Sequence, residues 1–142
     1  MPLQLDIVTP EKLAFSDEVD AVVLPGSEGE LGVLPHHAPL VSTLGLGELR
    51  IRKGGAEESF AIAGGFLQVL PDRVVVLAET ADMASEIDLE KAQEARREAE
   101  KALESGYHEG ADLSTARAAL QTALLRERVA QRRHREGPRH RG

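Results

Sequence analysis

The sequence predicts a molecule in two unequal parts: an all-β sandwich of about ten antiparallel strands, then an antiparallel two-helix hairpin. Three observations carry this expectation. Nine of the 13 glycines and six of the seven prolines fall within residues 1–84. In that stretch apolar residues alternate with a period of two in short runs between turn residues. From Ile87 onward the apolar period lengthens to that of a helix. The divisions that follow are a sandwich over 1–84, a hairpin over 85–135 and a basic tail over 136–142 that is expected to be disordered.

Taken in order, Leu3, Leu5 and Ile7 alternate as one strand, and Val19, Ala21 and Val23 as another. Leu49 and Ile51 follow the same rule, as do Phe60 and Ile62, the run Phe66 to Leu70, and Val74 to Leu77. Pro10, Pro25-Gly26, Gly45/Gly47, Gly54-Gly55, Gly64-Gly65 and Pro71-Asp72 punctuate them, the pattern of a sandwich or barrel. Lys53-Gly54-Gly55-Ala56 predicts a hairpin turn, since glycine accepts positive φ without a Cβ clash. Gly64-Gly65, between two apolar runs, reads as a bulge or a tight corner.

In the second part Ala92, Ala95, Ala99, Ala102 and Leu103 share one helix face, and Asp88 is placed to cap that helix. A short polar loop follows Ser105-Gly106 and runs to Gly110. Asp112 or Ser114 then starts a second helix with Leu113, Ala116, Leu120, Ala123 and Leu124 on one face. Because this seam is mostly alanine, each contact buries little area at roughly 25 cal/mol per Å². The apolar stripe also stops, with Glu127 at the next core-facing position. The expectation is an arm only loosely seated on itself and on the sandwich.

Composition narrows the chemistry. With 3% aromatics and no Trp, the core must be built from Val, Leu, Ile and Ala. There is no cysteine, which removes disulfides and thiolate metal sites. No leader-like or membrane-spanning run is visible, so a soluble chain is expected, reaching a membrane only through a partner. The net charge of −7 conceals an asymmetry: residues 126–142 carry seven arginines against Glu127 and Glu136, or +5, leaving −12 for residues 1–125. A basic end on an acidic body argues against nucleic-acid binding by the whole chain and suggests a tail that seeks an acidic surface, the alternative being a solvated, frayed terminus.

Catalysis finds no support. No Gly-x-Ser-x-Gly elbow occurs, and His36 and His37 would face opposite sides of a strand. His108, His134 and His140 lack metal-ligand spacing. Gly45-Leu46-Gly47 lacks a third glycine and leads into strand-like residues, so it offers no helix N-terminus to a phosphate. No metal, catalytic residue or required cofactor is expected.

Three stretches, in order, carry a family resemblance. They are Val23 to Leu40 with its Gly29-Glu30-Leu31-Gly32 and His37-Ala38-Pro39 motifs; Ile62-Ala63-Gly64-Gly65-Phe66-Leu67-Gln68-Val69 with Val74 to Ala78; and Ile87-Asp88-Leu89-Glu90-Lys91-Ala92. Together these resemble the epsilon subunit of bacterial F-type ATP synthases over residues 3 to about 133. The resemblance implies a non-catalytic central-stalk subunit on the cytoplasmic face of the plasma membrane. The sandwich would dock on the gamma subunit and the polar loops of the c-ring, with Glu30 and His37 at or near those contacts. On their own residues, Glu30 reads as a turn residue between glycines and His37 as a cap of a Pro-bounded turn.

The same resemblance implies a mobile hairpin that inhibits ATP hydrolysis by setting basic residues against the catalytic beta subunit. Arg117, Arg128 and Arg135 fall nearly on one helix line with Arg132 close by, and the guanidinium fork suits carboxylates. Some members bind ATP through a pattern of Ile/Leu-Asp-x-x-Arg-Ala aided by arginines on the second helix. Here the matching residues are Ile87, Asp88, Lys91, Ala92 and Arg126. Lys91 replaces the arginine and Thr122 replaces another, which implies ATP as a weak regulatory ligand at most. The competing expectation is a stand-alone nucleotide-sensing module with the sandwich as its platform.

Overall fold

The structure, a computed structural model, describes residues 3–105 and 113–136. The expected loop 106–110, the helix start at Asp112 and the tail from 137 lie outside the described residues. Eight strands are described: β1 (Leu3–Val8), β2 (Leu13–Val19), β3 (Ala21–Gly26), β4 (Gly29–Val33), β5 (Leu40–Thr43), β6 (Gly47–Lys53), β7 (Ala56–Leu70) and β8 (Arg73–Met83). A short 3-10 turn at Ala84–Glu86 leads to α1 (Leu89–Ser105) and α2 (Leu113–Glu136).

Ten strand segments arise from eight strands because β7 and β8 each serve two layers. The first half of β8 and the second half of β7 pair with each other, with β1 and β5 flanking them and β2 beyond β1. The remaining halves of β7 and β8 pair with each other, and β6, β3 and β4 follow. All these pairs are antiparallel except β1 with β8, which is parallel from Gln4↔Arg73 to Val8↔Leu77.

The corner between layers is built at Gly64-Gly65, with φ of 65° and 121°. It is a corner and not a bulge, since the register with β8 is unchanged from Ala63↔Thr80 to Gly65↔Ala78. Before it Phe60 and Ile62 are buried in the sandwich; after it Leu67 and Val69 are. The core-facing parity therefore switches at the glycine pair, as it does on β8 between Val74, Val76, Ala78 and Ala81. A Cβ on Gly65 would lie 1.9 Å from the Leu77 carbonyl oxygen, so no side chain fits while the two strands stay paired.

Inside the fold Leu3, Leu5, Ile7, Leu24, Leu49 and Ile62 are completely buried, and Phe15 meets Phe60 edge-to-face at 5.7 Å. The Gly54-Gly55 hairpin forms as expected, closing β6 on β7 through Lys53↔Ala56. The alternation Val19-Ala21-Val23 corrects: it spans two strands, and the break at Asp20 turns Val22 and Leu24 inward instead.

Two phase corrections apply to the helices. On α1 Ala95 is exposed, and half-buried Arg96 shares the inward line with Ala92, Ala99 and Leu103. On α2 Leu124 is 42% exposed, whereas Ala123, Leu125, Glu127, Val129 and Ala130 are buried. The stripe thus does not stop at Glu127. It widens, because the second half of α2 is covered by α1 on one side and by the sandwich on the other. Glu127, only 8% exposed, receives the Arg96 Nε at 2.5 Å, with Glu100 and Gln131 beside them. That hydrogen bond raises the Arg96 pKa above its ordinary value, against the opposing effect of burial.

Candidate functional site

Three surfaces gather the residues singled out from the sequence. The first is the seat of the arm on the sandwich. Across β6, β7 and β8 the register places Glu48, Ala61 and Asp82 in one row on the outward face of the second layer. Leu125 and Val129 pack with Ala61, Ala84 and Ile87 in a small cluster separate from the sandwich core. Arginines bracket this apolar centre. Arg132 reaches Glu48 at 2.5 Å and donates to Ser59 Oγ at 3.0 Å; Arg133 lies 3.3 Å from both Glu58 oxygens; Arg126 Nε lies 3.3 Å from Asp82. α2 therefore presents two kinds of arginine. Arg126, Arg132 and Arg133 turn to the sandwich, while Arg117 and Arg128 are exposed, on the same side as Leu124. Arg135 belongs to α2, with its side chain outside the described residues.

Residues matching the nucleotide pattern surround the junction of the two parts. Ile87 and Ala92 are buried in the same cluster as Leu125. Asp88 caps α1, its Oδ1 accepting the Lys91 N–H at 3.2 Å, as its position before the helix predicts. The Lys91 side chain is exposed, and Arg126 is drawn to Asp82. Ile87 and Ala92 thus share a cluster with Leu125, while the Asp88 carboxylate is engaged by the α1 N-terminus and the Arg126 guanidinium by Asp82.

The second surface holds Glu30 and His37, and here the expectation needs correction. Gly29-Glu30-Leu31-Gly32 is no loop but most of β4, at the end of the sheet path. Glu30 stands opposite Pro25 and pairs with Arg50 at 3.4 Å. His37 does lie in a loop, its Nδ1 2.8 Å from the Ala38 carbonyl oxygen. That loop is tied by His36 N–H to the Pro71 carbonyl, near the start of β5, while Ser27 N–H of the β3–β4 turn bonds Thr43 at its end. Among the described residues, Glu30 and His37 share no hydrogen bond or ion pair.

The third surface was not singled out from the sequence. On the outward face of the first layer, register places Phe66, Leu77, Val8 and Leu13 in one cross-strand row, with Val41 one row along. Phe66 is 58% exposed, Leu77 51%, Leu13 60% and Val41 70%. Phe66 and Leu77 also line a shallow apolar hollow with Val8, Pro10 and Ala78. The signal was present: Val74-Val75-Val76-Leu77 is apolar at both parities, the mark of a strand covered on both faces. Among the described residues no three His, Asp or Glu side chains gather as a metal site, and no described helix is long and apolar enough to cross a membrane.

Comparison with known proteins gives a consistent result for both parts. The family model for the ATP synthase Delta/Epsilon chain beta-sandwich domain matches residues 2–84, and that for its long alpha-helix domain matches residues 85–131. An ATP synthase epsilon chain of Dehalococcoides mccartyi is 50% identical over 131 residues, covering 92% of this chain and 94% of that protein. One from Herpetosiphon aurantiacus is 47% identical over 137 residues, covering 96% and 100%. Among solved structures, a chain of the Euglena gracilis mitochondrial ATP synthase (OSCP/F1/c-ring, rotational state 1) superposes with a TM-score of 0.72 at 25% identity, covering 92% of this chain and 81% of that one. With its sandwich and its helices both matched, and its relatives alike along nearly their whole length, the chain belongs to the ATP synthase delta/epsilon chain family, as a non-catalytic epsilon subunit.

Proposed function

We propose that the sandwich fastens this subunit to the gamma subunit of the rotor through the apolar row of Phe66, Leu77, Leu13 and Val41, and that the arm restrains ATP hydrolysis. The observation that carries the docking is the outward apolar face of the first layer, made by other strand halves than those that seat the arm. A monomer gains nothing from exposing Phe66 and Leu77 side by side, whereas a partner that covers them gains their burial. Glu30 on β4 and His37 in its loop serve as the polar contacts to gamma and the c-ring loops. The subunit then sits on the cytoplasmic face of the plasma membrane, held there only through the complex.

Replacing Phe66 and Leu77 together by Ser tests the docking. Both side chains are exposed, so folding stability should change by about 0.5 kcal/mol or less per site. Affinity for gamma, measured by titration of the purified subunits, should fall by about 2 kcal/mol or more, roughly 30-fold. Unchanged affinity would remove this face from the interface.

For the brake, the solvent-facing Arg117 and Arg128, with Arg132 and Arg135, are the residues that meet carboxylates of the catalytic beta subunit when the arm extends. Guanidinium forks and acidic side chains make directional pairs, which suits a contact that must form and break. ATP acts on the docked arm as a weak regulatory ligand, around Ile87, Asp88, Lys91, Ala92 and Arg126. The shared cluster of Ile87 and Ala92 with Leu125, which precedes Arg126 on α2, supports this reading, and the occupied Asp88 and Arg126 groups are consistent with weakness. Calorimetry of the isolated chain with ATP should give a small signal that Asp88→Ala abolishes. A signal untouched by Asp88→Ala would place nucleotide elsewhere, and tight binding would favour the stand-alone sensor.

A further inference from the structure

The seat of the arm combines a small apolar cluster with charge. Its contact cluster, counting the α1 residue Ala92, consists of Ala61, Ala84, Ile87, Ala92, Leu125, Val129 and Ala130, four of them alanine. Around it stand three arginine–carboxylate pairs between half-buried side chains. The sandwich side is not accidental in its arrangement. The row Glu48, Ala61, Asp82 puts an acid at each end of a small apolar step, and α2 sets Val129 and Leu125 on the step with Arg132 and Arg126 on the acids.

We propose that Glu48, Glu58 and Asp82 form a latch for Arg132, Arg133 and Arg126, so that the docked arm is held by ionic pairs whose strength is set near balance. Two atoms argue for the balance. Glu48 Oε2 and Arg126 Nε are buried and lie within ion-pair distance of their partners, yet neither meets the angles of a hydrogen bond. At these two atoms the ion pair is made without a full hydrogen bond, while Arg126 and Asp82 keep side-chain exposures of 36% and 39%, so the pairs can be released at low cost. A crevice of roughly one water molecule's size beneath Arg132 and Arg133, against Ser59 and Val129, leaves the seat incompletely filled.

The Arg96–Glu127 pair has a different address. It joins α1 to α2, so it holds the hairpin together. The latch and the brake meet at Arg132, which pairs with Glu48 when docked. It cannot serve the sandwich and the catalytic subunit at once. The acids on the sandwich thus compete with those of the catalytic subunit for one guanidinium. Only this last step rests on the proposed brake; the latch itself is a property of the isolated chain.

The chain has no cysteine, so Glu28→Cys and Gln121→Cys, both at exposed positions, give one spin-label pair between sandwich and arm. In the full chain carrying Glu48→Gln and Glu58→Gln, the long-distance population should rise about tenfold over the parent, with the sandwich spectrum unchanged by circular dichroism. Raising salt from about 0.05 M to 0.5 M should open the parent and leave the double variant little changed. Arg128→Gln, which removes a charge from the exposed face, should leave the distances alone. The swap Glu48→Arg with Arg132→Glu should restore docking that Arg132→Glu alone loses. Identical distance distributions in parent and double variant overturn the latch, as does an equal shift from Arg128→Gln. In the assembled enzyme the double variant should hydrolyse ATP more slowly. A distance shift with unchanged hydrolysis sustains the latch and removes the brake.

Discussion

Gly65 shows how much of this fold rests on one absent atom. Its φ of 121° lies where side chains are rarely tolerated, and a Cβ would sit 1.9 Å from the Leu77 carbonyl oxygen. Gly64 differs, since its conflict is with the flexible end of Glu79. Gly65→Ala should therefore destabilise the sandwich by about 1–3 kcal/mol or more, read from urea unfolding of the purified chain. A change below about 0.5 kcal/mol would mean the corner can shift without loss. Gly47 is constrained in another way: a Cβ there would meet Pro25 Cβ at 2.6 Å, so its role is close packing of β6 on β3.

At the scale of elements, strands and turns were legible where one face was wet. Leu3, Leu5 and Ile7 alternate against polar neighbours, and β1 has that burial pattern. The Lys53-Gly54-Gly55-Ala56 turn was legible because its chemistry is local. Gly64-Gly65 was legible as a bulge or a tight corner; what the sequence could not choose was between the two, since a corner is fixed by the partner strand, here the β8 backbone at Leu77. The helix faces were read with an error of phase for a related reason. Alanine is apolar on any side, so Ala95 joined the expected seam while Arg96 was left out. Glu127 was taken as the end of a stripe because periodicity counts only hydrophobicity. Its partner Arg96, 31 positions away, makes burial possible. The seat of the arm is the same lesson: Glu48, Glu58 and Asp82 carry no motif, and only pairing of three strands sets them beneath α2. Of the site residues, Asp88 was legible as a cap, and Arg117 and Arg128 as an exposed line. Arg132 was grouped with them by angle, and the sandwich turns it inward.

Under the proposed function, the whole molecule separates load from control. The buried core of the sandwich lies entirely between Leu3 and Ala81, and includes no residue of either helix. The arm meets the sandwich through a small separate cluster that takes in only Ala61 from the strands, and it has an internal ion pair and a charged seat. An arm joined through so small a cluster can leave without opening the sandwich core. The sandwich can then stay fixed to the rotor while the arm changes position. The most direct measurement is ATP hydrolysis by the reconstituted enzyme carrying this subunit cut after Ala84. The account predicts normal assembly, because the sandwich core is intact, together with hydrolysis several-fold faster than with the full chain. Assembly with hydrolysis unchanged, or failure of residues 1–84 to assemble, would contradict it.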